Sequence, residues 1–210
     1  MLNLVTFEPE DAELLESSYN AIRQKDCLKI IVDEPERKKI FLQTINSITI
    51  PINSNFTFQN LFKLSISKGH FYIAQSLIDF GYPVTTRLAQ SSIHEYEFQT
   101  IGIANLKIDL GKTQLRPETN IDKLVGRFFD HDIDFEGCEK FNDKYYLVSN
   151  SKKEVYKTFD KSFVKVLSKY DNVLLTTKNY EMYISFHNEL EPDQARAVED
   201  IFSNFNFLAD

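Results

Sequence analysis

The chain has 210 residues, 42% of them apolar and 26% charged, which is enough to bury a core and rules out a disordered polypeptide. Its 6 glycines leave few of the tight loops that nucleotide-binding folds use to cradle phosphate. A net charge of −7 sets the mean field against nucleic acid and anionic membrane surfaces.

Residues 1–11 carry neither a basic stretch nor an apolar one, so no secretory leader is expected. A first helix is expected after Pro9. Glu8, Glu10, Asp11 and Glu13 suit the positive end of its dipole, and Ala12, Leu15, Tyr19 and Ile22 share one face. Residues 27–32 read as a strand, and 40–45 as a strand or a short helix. Phe62, Leu64 and Ile66 alternate with Lys63, Ser65 and Ser67. Lys68-Gly69 then turns the chain, and Phe71 and Ile73 return the pattern as a hairpin. A strand after Pro83 (Val84, Thr86, Leu88) and another over 93–100 extend the meander. Over 101–110 the apolar positions change parity at Ala104-Asn105, which predicts a β-bulge.

Beyond Arg116-Pro117-Glu118 the pattern changes. Residues 120–129 read as a helix with Ile121, Leu124, Val125 and Phe128 on one side. Ile133 and Phe135 alternate with acids like a half-buried strand, and 145–149 is a further strand. Ser151 and Glu154 have the spacing of a capping box for a helix that buries Val155, Phe159, Phe163, Val166 and Leu167, with Asp160 able to restart it midway. Residues 173–177 and 181–187 form a second hairpin around Lys178-Asn179. The last helix begins at Glu191-Pro192-Asp193 and buries Ala195, Val198, Ile201, Phe202 and Phe205. The fold class is therefore α+β: an N-terminal helix with an antiparallel β meander, then a ββαββα-like unit. The division is 1–118 and 119–210, or one continuous domain.

Leu115-Arg116-Pro117-Glu118, Asp132-Ile133-Asp134-Phe135, Phe141, Lys144-Tyr145-Tyr146-Leu147, Val155, Phe159 and Phe163 together resemble the C-terminal module of a bacterial family of uncharacterised proteins. The resemblance covers about residues 115–205. It implies a shared α+β module and no particular activity.

Catalytic signatures are sparse. The acids at Asp130, Asp132, Asp134 and Glu136 have the alternation of the first ligands of a calcium loop. Phe135 and Phe141, however, stand where such a loop needs Gly and a bidentate Glu. They remain weak metal candidates, and would serve a metal-assisted hydrolase if they converged. His70, His94, His131 and His187 are scattered without zinc spacing, and neither Cys27 nor Cys138 sits in a nucleophile motif. Lys153, Lys157, Lys161, Lys165 and Lys169 fall four apart, so on one continuous helix they make an anion-binding stripe or a solvated outer face. Strand aromatics such as Phe62, Phe71, Tyr72, Tyr145, Tyr146 and Tyr183 suit a core better than base stacking. No cofactor is implied. The expectation is a cytoplasmic, non-enzymatic module that binds a protein partner or self-associates, without nucleic acid and without a membrane span.

Overall fold

A computed structural model describes the backbone at residues 17, 29–31, 54–85, 90–119, 122, 132–186, 191 and 193–209, and the side chains at 17, 61–75, 99–119, 122, 132–186, 191 and 193–209. The helix expected on Ala12, Leu15, Tyr19 and Ile22, the 40–45 segment and the 120–129 helix lie outside the described residues, save helical Ser17 and Asp122.

The described strands are β1 (Lys29–Ile31), β2 (Ser54–Ile66), β3 (Gly69–Thr85), β4 (Gln90–Asn105), β5 (Thr113–Pro117), β6 (Tyr145–Ser149), β7 (Val173–Lys178) and β8 (Glu181–Phe186). They join in one antiparallel sheet in the order β1-β2-β3-β4-β8-β7-β5-β6. The described helices are α1 (Glu139–Asn142), α2 (Lys152–Thr158), α3 (Lys161–Leu167) and α4 (Gln194–Ser203). The architecture is α+β, and no described helix is long and apolar enough to cross a membrane.

The first hairpin closes Ile66 against Gly69 through Ser67 and Lys68. Gly69 has φ +141°, and a Cβ there would lie 2.6 Å from the Ala209 carbonyl oxygen. The C-terminal segment passes at that point: the His70 N–H donates to Ala209 O, and the Ala209 N–H to Asn105 O. β3 runs through Pro83, where a fresh strand was expected to begin. The described β2 pairings end at Ser54↔Phe80, and Pro83 pairs with Ser92 of β4.

The expected bulge at Ala104-Asn105 is absent; β4 ends there instead. The Leu106 N–H turns to the Tyr180 carbonyl at 2.7 Å, and the Lys107 N–H to Phe207 at 2.8 Å. The change of parity thus records the chain leaving the sheet. A register shift does occur in β2, between Phe58 and Asn60.

The helices pack on one face. A Cβ on Gly102 would meet Val198 Cγ1 at 2.4 Å, so α4 lies directly against β4. Phe62, Leu64, Phe71 and Ile73 of the first hairpin share a single core with Leu115, Leu147, Phe163 and Phe202. Sheet and core are continuous across residue 118, because β4 pairs with β8 from Gly102↔Ile184 onward. On the opposite face Leu61, Tyr72, Ala74, Ile101, Ile103 and Tyr183 are also buried.

Two caps differ from expectation. Ser151 begins α2 without a side-chain cap: Glu154 N–H bonds the Ser151 carbonyl, while the Glu154 carboxylate takes Lys157 at 2.9 Å. A reciprocal box forms elsewhere. Thr119 N–H and Oγ1 donate to Asp122 Oδ2 at 2.8 and 2.6 Å, and Asp122 N–H returns to Thr119 Oγ1 at 3.3 Å. Asp160 acts as read from sequence, accepting Phe163 N–H at 2.8 Å and restarting the helix as α3.

Candidate functional site

The acidic segment is committed to closing a sheet edge. Residues 132–136 form no strand, although Ile133 and Phe135 point inward as their alternation predicts. Asp132 Oδ1 accepts the backbone N–H groups of Leu147 (2.7 Å) and Ile133 (2.8 Å), and Ile133 N–H also reaches the Leu147 carbonyl at 2.8 Å. Both outward backbone groups of Leu147, on edge strand β6, are therefore satisfied. Burial pushes the Asp132 carboxyl above its ordinary value, opposed by those two donors. One residue pair on, Asn142 copies a strand partner: its Oδ1 accepts Phe135 N–H and its Nδ2 donates to Phe135 O, each at 3.1 Å. Asp134 and Glu136 are exposed, and Asp130 lies outside the described residues. Among the described residues no three His, Cys, Asp or Glu gather to hold a metal.

The lysine series does not form one stripe. Phe159, at φ −87° and ψ 74°, breaks the helix, so Lys153 and Lys157 belong to α2 while Lys161 and Lys165 belong to α3. Lys157 pairs with Glu154, and Lys169, beyond α3, with Asp200 at 3.3 Å. The strand aromatics are mostly core: Phe62, Phe71, Tyr72, Tyr145 and Tyr183 are buried, and Tyr146 is half-exposed. Tyr145 donates its hydroxyl to the Tyr170 carbonyl at 2.7 Å, and burial raises its pKa.

Arg116 forks onto Asp122 at 2.5 and 2.6 Å and stacks 4.6 Å above the Tyr146 ring. The guanidinium, with Thr119, holds the Asp122 carboxyl well below its usual range. These residues therefore anchor the start of the 119–122 turn to the sheet.

Where the sheet leaves the helices, alternation sets out a second surface. On the face away from α1–α4, β6 offers Tyr146 and Val148, β5 offers Gln114 and Arg116, and β7 offers Leu174 and Thr176, all partly or fully exposed. Helical Asp122 meets this patch at Arg116. At one end the patch opens into a groove of about 570 Å³ lined by residues of three turns, 109–112, 150–151 and 178–179, and by Gln114, Thr176 and Thr177 of β5 and β7. Gly111 shapes the floor. Its φ is +61°, and a Cβ would strike Asn150 Oδ1 at 2.1 Å and Ser151 Oγ at 2.6 Å. Asp109 Oδ1 accepts Gly111 N–H at 2.7 Å, Thr177 Oγ1 donates to Gly111 O at 2.8 Å, and Asn150 Oδ1 accepts Lys112 N–H at 2.9 Å. Sequence reasoning passed over this groove. Its only local trace is turn chemistry, Gly111 and Asn179 both taking left-handed backbone at the ends of strands. No family model, curated protein or solved structure matches the chain.

Proposed function

We propose that the protein is a non-enzymatic interaction module that binds an extended segment of a partner protein across the open face of β5–β7. The observation behind this reading is the array itself: Tyr146, Val148 and Leu174 stand partly exposed on a sheet whose other face is packed by helices. Aromatic side chains are among the usual anchors of protein interfaces. Size selects the occupant. Three strands about 4.8 Å apart, each about five residues long at roughly 3.4 Å per residue, offer a face on the order of 250 Å². That is well short of the ~800 Å² per partner of a stable domain interface, and suits a segment of about five residues. Addition of a strand at the β6 edge is disfavoured, because Asp132 and Ile133 already occupy Leu147. The proposal takes the module to act in a bacterial cytoplasm, consistent with Cys138 as a buried free thiol, and to share the kinship suggested by residues 115–205.

Peptide-display selection against the full chain tests it, repeated on Tyr146→Ala and Leu174→Glu and on a control, Tyr156→Ala, at an exposed position of α2. Peptides enriched on the wild type should lose at least tenfold in affinity on the two face variants and nothing on the control. Selected peptides indifferent to both face variants would refute the reading. So would light scattering that finds a dimer broken by those same variants, since the face would then belong to a second copy.

A further inference from the structure

We infer that the outer edge of β4, over residues 90–98, takes a basic extended segment of a partner protein as an added strand. The site is a sheet edge, so the inference stands apart from the peptide-binding reading of the β5–β7 face. β4 runs from Gln90 to Asn105 against β3, but its pairing with β8 begins only at Gly102. Among the described residues no strand other than β8 pairs with β4 on that side. Residues 90–98 span about 30 Å at roughly 3.4 Å per residue, enough for a partner strand of ordinary length.

Backbone alternation fixes which groups the edge offers. At the end of β4 the Asn105 carbonyl accepts the Ala209 N–H, and Ala209 O accepts the N–H of His70 on β3. Asn105 therefore faces β3, while the next N–H, that of Leu106, turns the other way to Tyr180 between β7 and β8. The β3–β4 register runs from Thr85↔Gln90 to Phe71↔Ala104 without a shift. Counting back in twos, Ser92, His94, Tyr96 and Phe98 present their N–H and C=O groups away from β3.

Two other edges of the sheet are guarded. β6 is closed by Asp132 and Ile133, and β2 carries a register shift between Phe58 and Asn60. Residues 90–98 are regular in register and hold neither Pro nor Lys, the residues that most often blunt an edge. Charge then chooses the partner. The strand residues 54–60, 76–85 and 90–98 include Asp79, Glu95 and Glu97 and neither Lys nor Arg. Glu95 and Glu97 lie two apart, at register positions on one face of the sheet. A second copy pairing antiparallel about the middle of this run would set those acids against their own counterparts. A strand with Lys or Arg at alternate positions meets them with opposite charge.

The test is amide hydrogen exchange on the full chain, labelled with nitrogen-15 and followed by NMR. In the free chain Ser92, His94, Tyr96 and Phe98 should exchange fast, while Ile93, Glu95 and Glu97, bonded to β3, exchange slowly. Slow exchange at the first four would show the edge covered already and overturn the inference. The probe is a peptide of about eight residues alternating lysine with threonine and valine, beside a twin with glutamate for lysine, at constant ionic strength. The lysine peptide should protect Ser92, His94, Tyr96 and Phe98, and the glutamate twin should not. Tyr96→Pro removes one outward N–H and no bond to β3, and should weaken binding about tenfold. Glu95→Lys combined with Glu97→Lys leaves the backbone ladder in place and should transfer binding to the glutamate peptide. The inference is overturned if the lysine peptide protects none of the four amides or if both peptides protect them alike. It is equally overturned if light scattering finds a dimer that Tyr96→Pro breaks, since the edge would then serve a second copy.

Discussion

Replacing Asp132 by alanine and, separately, by asparagine distinguishes the two things its carboxylate does. It accepts the N–H of Leu147, a residue with no exposure to solvent, and it carries a charge into a half-buried position. Its bond to Ile133 N–H is dispensable, since that group also reaches the Leu147 carbonyl. Alanine therefore strands one buried donor, at a cost of about 1–3 kcal/mol, partly offset by relief of the buried charge. A net loss of about 1–2 kcal/mol lowers Tm by roughly 2–8 °C in a protein of this size. Asparagine keeps the acceptor and removes the charge, so at neutral pH it should match the wild type within about 0.5 kcal/mol or exceed it.

The pH dependence follows from the direction of the shift. Burial raises the folded-state pKa of Asp132 above the unfolded one, so ionisation opposes folding. That penalty is complete above the folded value and is relieved as pH falls through it toward the unfolded value. Any advantage of Asp132→Asn should therefore be largest near neutral pH and close in the mildly acidic range. Thermal and urea unfolding followed by circular dichroism at several pH values measures both effects. An alanine variant as stable as the wild type, or an asparagine variant as damaged as alanine, would refute the edge-closing role.

Three further outcomes follow from the packing. Asp160→Ala removes the side-chain cap of α3 and should cost about 1 kcal/mol in urea unfolding. Phe202→Ala, fully buried between α4 and β3 with its ring 5.0 Å from that of Phe71, should cost about 3–5 kcal/mol by the same measurement. Asp122→Asn should flatten the acid limb of the stability curve. The depressed folded pKa of Asp122 contributes stability that is present above the unfolded carboxylate value and lost as pH falls through the folded one, as acid titration of both proteins would reveal.

What the sequence disclosed was local. Alternation at Phe62, Leu64 and Ile66, the helical spacing of Ala195, Val198, Ile201 and Phe202, and Asp160 as a helix restart all depend on neighbours a few residues apart. The order of strands depends on partners far apart. Gly102 meets Ile184, and Leu115 lies between Leu147 and Leu175, pairings that no periodicity within a segment encodes. The Ser151 box failed for a related reason: the Glu154 side chain bonds Lys157, one turn on, while the Thr119–Asp122 box has the same spacing and is reinforced by Arg116. Gly111 gave no motif because its role is set by Asn150 and Ser151, about 40 positions away, which close over it only once β5 and β6 pair.

The same distinction bears on where function resides. Polar residues conspicuous in sequence turn out to hold the chain to itself: Asp132 to Leu147, Lys157 to Glu154, Lys169 to Asp200, Arg116 to Asp122. A group committed to such a bond must break it before it can serve a ligand, and a buried donor left behind costs more than a surface contact returns. Binding is therefore best sought among exposed side chains that hold no such bond. Val148 and Leu174, apolar and partly exposed on the outer face of β5–β7, meet that condition.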